Sequence, residues 1–168
     1  VDGHPCRLAV NMTVKGDEIE FDFSQSDPQV TASLNIPTGG NERHVLLMIP
    51  LIYVLYTMDN NIFLNSGLIR PARSKLPAGS IVNPTFPAAV GMRSLGIMRL
   101  SSCVFGAFAQ ALPELIPCAS GDGGPLINVR TTDIATGRKL MANLDPITGG
   151  GGGTAFRDGT EGSGANFG

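Results

Sequence analysis

The sequence is short of aromatic residues and of charge. It has no tryptophan, and aromatic residues make up only 6% of its 168 residues. Charged residues make up 15%, where about a quarter is usual. So few aromatic side chains leave little for stacking bases or sugars, and a net charge of −2 at pH 7 argues against a nucleic-acid-binding surface. With so little charge available, we expect much of the surface to be buried against other protein.

Cysteine is equally scarce. Cys6, Cys103 and Cys118 are an odd number and include no C-x-x-C pair. This pattern argues against both a disulfide framework and a structural zinc site, and a reducing, cytoplasmic compartment fits it best. Cys103 lies in an apolar run, so we predict a small buried side chain there rather than a nucleophile.

Long hydrophobic segments are also absent. The longest apolar stretch, Val45–Met58, contains Pro50 and is too short to span a bilayer. We therefore predict a buried helix, in which Pro50 either starts the main body or introduces a kink. The first residues have neither the basic nor the apolar region of a signal peptide, and we expect no membrane association.

Glycine and proline, with 22 and 12 residues, are what the sequence has in abundance. They indicate many turns rather than a helical bundle. We predict an α+β fold with mixed or antiparallel strands, two buried helices and glycine-rich loops. Apolar periodicity places a hairpin at 7–14 and 19–23, helices at 44–58 and 93–112, and a second pair of strands at 126–129 and 138–144.

Two segments do not follow these periodicities. Residues 62–87 carry four prolines and predict irregular structure, with a turn into a short strand at Ile81 and Val82. Residues 149–168 form a glycine-rich loop segment that opens with five consecutive glycines. We interpret 1–168 as one domain or as a fragment of a larger subunit. The missing initial methionine and the glycine-rich end favour a fragment.

The glycine run suggests two kinds of site. Backbone N–H groups of glycines can cradle phosphates, but no Gly-Lys-Ser/Thr follows here. A flexible or ligand-covering loop is therefore favoured over a nucleotide loop. Arg157 and Asp158 follow the run and could close over a polar substrate. A surface turn with a local ion pair explains them equally well.

Acidic residues offer further candidates. Asp22 and Asp27 could bind a cation or share acid–base chemistry, although solvated turn residues are the simpler interpretation. Asp122, in a small polar loop, could face a pocket or stand in a plain turn. The two histidines, His4 and His44, lack matching carboxylates, so we predict no metal site complete within this chain.

Several segments taken in order resemble the hydantoinase B/oxoprolinase family. Residues 22–30 read DFSQSDPQV and resemble DFSGTDPQV, and the hairpin before them also matches. Residues 77–84 read PAGSIVNP and resemble PEGSLLNP, and 106–113 read GAFAQALP and resemble GALAQALP. Residues 64–71, which contain LNSG followed by RP, also resemble a segment of the family. So does the glycine run together with Arg157 and Asp158. No segment is decisive alone, but their order over nearly the whole chain makes the match specific.

The resemblance implies part of a hydantoinase B-like subunit of an ATP-dependent hydrolase of hydantoins, 5-oxoproline or lactams. It implies a hetero-oligomer with a hydantoinase A-type partner that binds most of the ATP and Mg²⁺ and phosphorylates the substrate oxygen. Any divalent metal would lie outside this segment. The catalytic residues stay unassigned, and we expect the isolated chain to be inactive. As substrate-pocket residues we predict Asp27, Asn35, Asp122, Arg157 and Asp158.

Two other functions remain open. The family also includes ATP-dependent ketone carboxylases, so a carboxylase subunit is the first alternative. The second is a non-catalytic structural or assembly piece, which the scarcity of histidine and of acid–base groups favours for the chain alone. The family's upstream metal-binding His and Asp residues have no counterpart here, and its Met-Asn-Asn motif is replaced by residues 122–128.

Overall fold

A computed structural model describes residues 5–121, 127–144 and 150–161. These residues form an α+β fold, as predicted, with small mixed and antiparallel sheets. In chain order the elements are β1 (Asn11–Lys15), β2 (Glu18–Asp22), α1 (Val45–Met58), a 3-10 helix (Ser66–Ile69), β3 (Ala72–Lys75), α2 (Arg93–Ala111), β4 (Ile127–Thr132) and β5 (Lys139–Leu144).

The first sheet has the strand order β1-β2-β3. The predicted hairpin of β1 and β2 is confirmed, and Phe21 and Phe23 point into the core at 0% and 1% exposure. The third strand was not predicted, because residues 62–87 were expected to be irregular. β3 pairs in parallel with β2, with Ile19 opposite Ala72. Its four residues carry no apolar run, so the neighbouring strand selects the extended conformation.

The predicted strand at Ile81 and Val82 is wrong. Ser80 and Asn83 form an isolated bridge, and the two apolar residues between them form a turn. Both side chains are nevertheless buried, at 2% and 0% exposure. Their apolar character therefore reflects burial in the core and not strand structure.

Helix α1 is capped at its start by His44, whose Nδ1 accepts a hydrogen bond from the Leu46 N–H at 3.3 Å. The helix runs through Pro50, whose ring is buried, and Asp59 caps its end. Only one side of the helix faces the core, through Leu47, Met48, Leu51 and Val54. The predicted helix is confirmed, but it is buried on one side rather than all round.

Helix α2 packs against α1 and against the sheet. Phe108 meets Phe21 edge to face, with ring centroids 6.1 Å apart. Gly96 allows the helix to approach the loop that follows β2, because a Cβ there would lie 2.5 Å from the Leu34 carbonyl oxygen. On this helix Ile97, Leu100 and Val104 are buried, whereas Leu95, Cys103, Phe105 and Leu112 are half-buried.

Strands β4 and β5 form a separate antiparallel hairpin, as predicted, with Ile127 opposite Leu144. Its turn is held by Asp133, whose Oδ1 accepts a hydrogen bond from the Ala135 N–H at 2.8 Å. Among the described residues, no helix is both long and apolar enough to cross a membrane.

Candidate functional site

Two loops pair along their length beside the three-stranded sheet. The first loop, residues 24–41, follows β2, and the second, residues 76–92, follows β3. Backbone hydrogen bonds join them at several points: Gln29 N–H to Gly79 O, Ile81 N–H to Asp27 O, and Ile36 N–H to Ile81 O, each between 2.8 and 3.0 Å. Because β2 and β3 run in parallel, both loops leave the sheet at the same edge. We call these two segments the paired loops.

Asp27, a predicted pocket residue, lies half-buried in the first of the paired loops. Its Oδ2 accepts a hydrogen bond from the Arg7 N–H at 2.7 Å, and its own N–H donates to the Arg7 carbonyl at 3.0 Å. The carboxylate therefore fixes the segment that leads into β1. Burial raises the pKa of the Cys6 thiol, and the negative charge of Asp27 raises it further, so this thiol is kept protonated at neutral pH.

Asn35, a second predicted pocket residue, is fully buried and bonds to backbone groups of three residues. Its Oδ1 accepts from the Val30 N–H at 2.9 Å. Its Nδ2 donates to the carbonyls of Val30 at 2.7 Å, Ala89 at 2.9 Å and Ala32 at 3.3 Å. The amide is thus occupied by backbone groups, and the contact with Ala89 ties the paired loops together. A direct contact with substrate stays a prediction.

Other polar side chains also hydrogen-bond between the paired loops, and they were not predicted from the sequence. Thr38 Oγ1 donates to the Val82 carbonyl at 2.6 Å. Gln29 bonds Thr85 twice, since its Oε1 accepts from the Thr85 N–H at 2.6 Å and its Nε2 donates to the Thr85 carbonyl at 3.3 Å. Asn83 adds a bond within the second loop, from its Nδ2 to the Leu76 carbonyl at 3.1 Å. Gln29 and Asn83 lie in motif segments of the resemblance, which was the available signal, whereas Thr38 does not.

The glycine-rich segment is held on two sides where it is described, from Gly150 to Glu161. On one side the Cys118 N–H donates to the Gly153 carbonyl at 2.8 Å. On the other the Gly151 N–H donates to the Thr160 carbonyl at 2.7 Å. A Cβ on Gly152 would overlap the Cys118 carbonyl oxygen, so glycine is required for this close backbone approach.

This arrangement does not fit a phosphate loop. Such a loop needs several free backbone N–H groups that point to one anion. Here the N–H groups of Gly151 and Thr154 already donate to the carbonyls of Thr160 and Arg157. The described part of the glycine-rich segment is therefore better suited to bringing backbones together than to holding ATP.

Arg157 and Asp158 lie exposed where the glycine-rich segment turns back on itself. The Arg157 carbonyl closes that turn by accepting from the Thr154 N–H at 2.9 Å. Asp122, the remaining predicted pocket residue, lies outside the described residues. The structure therefore places Asp27 and Asn35 in the first of the paired loops, and Arg157 and Asp158 in the glycine-rich segment.

The described residues contain no group of three or more His, Cys, Asp or Glu side chains that could hold a metal ion. Asp22 and Asp27, considered together as a cation site, have separate partners. Hydrogen bonds from Ser24 and then Lys75 hold the pKa of Asp22 below its ordinary value, whereas Asp27 bonds to Arg7. Burial raises the pKa of the half-buried Cys103 thiol, which agrees with its predicted role as a packing residue.

Comparison with known proteins identifies the family. A family model described as Hydantoinase B/oxoprolinase matches residues 1–168. This chain belongs to the hydantoinase B/oxoprolinase family. It is 32% identical over 119 residues to a Pseudomonas sp. (strain NS671) protein named as the B-type subunit of a D-/L-hydantoinase, covering 68% of this chain. It is 31% identical over 124 residues, or 73% of this chain, to a 5-oxoprolinase of Dictyostelium discoideum.

A solved structure supports the fold. The crystal structure of the ATP-dependent caprolactamase from Pseudomonas jessenii matches 93% of this chain with a TM-score of 0.69 and 23% identity. All three relatives are much longer. This chain spans 20% of the Pseudomonas sp. protein, 9% of the 5-oxoprolinase and 26% of the caprolactamase chain.

Proposed function

We propose that this chain is part of a hydantoinase B-type subunit of an ATP-dependent cyclic-amide hydrolase. It would act with a hydantoinase A-type partner in the cytoplasm, and that partner would bind ATP and Mg²⁺. The substrate would be a hydantoin, 5-oxoproline or a lactam. The related proteins named above, all of which are named for cyclic-amide substrates, support this substrate class.

The observation that carries the proposal is the pairing of the two loops. Residues 22–30 and 77–84, two segments that resemble the family in sequence, lie far apart in the chain. They meet through backbone bonds such as Gln29 N–H to Gly79 O and Ile81 N–H to Asp27 O. The family motif thus coincides with a hydrogen-bonded loop platform, as expected where binding residues stand on loops fixed by a scaffold.

In this proposal the chain supplies positioned loops rather than a complete catalytic set. Asn35 ties the paired loops together, and the Asp27 carboxylate holds the segment that leads into β1. The exposed Arg157 and Asp158 are the groups proposed to reach a polar substrate. An arginine can donate two hydrogen bonds to a carbonyl or phosphoryl oxygen. Asp122 is proposed with them as a pocket residue, on sequence grounds alone.

The test uses the complete assembly with its A-type partner. Ring opening of hydantoin, 5-oxoproline and caprolactam is measured with and without ATP, alongside release of ADP. The proposal expects ATP-dependent opening of at least one ring without bicarbonate. Arg157→Ala and Asp158→Asn should lower kcat/KM, whereas the control Arg138→Ala, an exposed hairpin residue, should not.

Two results would contradict the proposal. ATP- and bicarbonate-dependent carboxylation of a ketone, with every cyclic amide left intact, would assign the chain to a carboxylase instead. Normal ring opening after the Arg157 and Asp158 substitutions would leave the chain as a structural piece whose loops do not touch substrate.

A further inference from the structure

Helix α1 has an outer face that water contacts although it is apolar. The helix contains no Asp, Glu, Lys or Arg from Val45 to Met58. Its inner residues are buried, yet on the other side Val45 is 57%, Tyr53 41% and Tyr56 43% exposed. With 3.6 residues per turn, Val45, Ile49, Tyr53 and Tyr56 lie on one stripe opposite the core-facing residues. We call these four residues the α1 outer face.

Such a face is unusual for a helix at a water-facing surface. A surface helix normally carries charged or polar residues opposite its apolar stripe, and a helix that is apolar all round is normally buried. Helix α2 follows the first pattern, since Arg93, Ser94 and Arg99 are on its exposed side. The α1 outer face is therefore expected to be covered by other protein.

The chemistry of the face indicates what covers it. Tyrosine is enriched at the centre of protein–protein contacts, where charged residues are depleted. A face without acidic or basic groups cannot compensate a charge brought against it, so the covering surface must be apolar and poor in charge. The relatives have much more chain that can supply this covering surface. This chain spans only 20% of the Pseudomonas sp. protein and 26% of the caprolactamase chain.

We propose that the α1 outer face is a docking surface for an apolar, charge-poor surface of another part of a hydantoinase B-type subunit. This inference rests on family membership and on the exposure of the helix. It does not depend on the substrate or on ATP use, so it can fail while the proposed function stands.

The test compares the 168-residue chain with a subunit of the relatives' length that carries these residues. Val45→Lys with Tyr56→Lys is introduced into both proteins, with Thr13→Lys, at an exposed polar position of β1, as the control. In the 168-residue chain the double variant should lower fluorescence of the apolar-surface dye ANS several-fold and change the Tm by no more than about 2 °C, because both charges stay in water.

In the longer subunit the same variant should lower the Tm by at least about 5 °C, because two unpaired charges are then buried. The control Thr13→Lys should leave the Tm and the ANS fluorescence of both proteins unchanged. Where the double variant of the longer subunit is insoluble, the milder Tyr56→Ser decides: a fall in Tm confined to the longer subunit supports the docking surface.

Three results would overturn the proposal. An unchanged Tm of the longer subunit for both Tyr56→Ser and the double variant would mean that the face stays in water. Equal ANS fluorescence of the wild-type 168-residue chain and the wild-type longer subunit would also mean that the α1 outer face stays in water. A 168-residue chain that sediments as a dimer, and becomes a monomer with Val45→Lys and Tyr56→Lys, would make a second copy the occupant.

Discussion

Replacing Asn35 with alanine should cost more stability than most single substitutions in this chain. The side chain is fully buried, and three of its hydrogen bonds are 2.9 Å or shorter. A net contribution of about 1 kcal/mol for each gives about 3 kcal/mol. Leaving the Val30 N–H and the Ala89 carbonyl without partners adds about 1 to 2 kcal/mol. The expected loss in free energy of unfolding is therefore about 4 to 5 kcal/mol.

Urea unfolding followed by circular dichroism measures this loss in the 168-residue chain. The midpoint should fall by at least about 1 M, since proteins of this size lose roughly 1 to 3 kcal/mol per molar urea. The matched control is Asn61→Ala, because Asn61 is an exposed asparagine that bonds only locally to Asp59. It should change the free energy of unfolding by less than about 0.5 kcal/mol.

A second measurement distinguishes the hydrogen-bonded role of Asn35 from general packing. Hydrogen exchange of the Val30 amide should accelerate in Asn35→Ala, because its acceptor is removed. If Asn35→Ala unfolded within about 0.5 kcal/mol of wild type, the buried amide would not be holding the paired loops. The structural argument for their positioning would then be refuted.

Two further predictions concern a glycine pair and an acidic residue. Gly96→Ala should destabilise the protein by about 1 to 3 kcal/mol, because its Cβ would meet the Leu34 carbonyl. Gly106→Ala, with nothing within 4 Å, should stabilise it by up to about 1 kcal/mol, and thermal unfolding of both variants checks the difference in sign. The pKa of Asp22 is lowered from 3.8, chiefly by Ser24, so its stabilisation is present above pH 3.8 and is lost as the pH falls below it. Asp22→Asn should reduce the acid-induced loss of stability in urea titrations from neutral to low pH, and an unchanged pH dependence would contradict the assignment.

The sequence predicted the elements whose patterns are local. Phe21 and Phe23 alternate with acidic residues, so β2 was evident, and the charge-free stretch before Asp59 predicted α1. The four residues of β3 have no such pattern, because their extended form depends on a parallel strand about fifty residues earlier. Apolar residues at 81 and 82 suggested a strand, although burial alone does not distinguish a strand from a buried turn.

The candidate site was less predictable for the same reason. Asn35 was predicted as a pocket residue, but its role depends on the carbonyl of Ala89, which lies 54 residues later in the chain. The glycine run was predicted to form a flexible or ligand-covering loop. Where it is described, Gly152 lies against the Cys118 carbonyl, a contact that no local pattern in the sequence reveals.

The parallel pairing of β2 with β3 has a consequence for how the site is assembled. Asp22 and Lys75, which pair across these strands, are 53 residues apart, and Gln29 and Thr85 of the paired loops are 56 apart. One loop closure therefore brings together the sheet and the site, and its entropic cost is shared between them. A cut after the exposed Asn60 would place each of the paired loops on a different fragment. The site would then exist only where the two fragments associate, and its population would depend on their concentration.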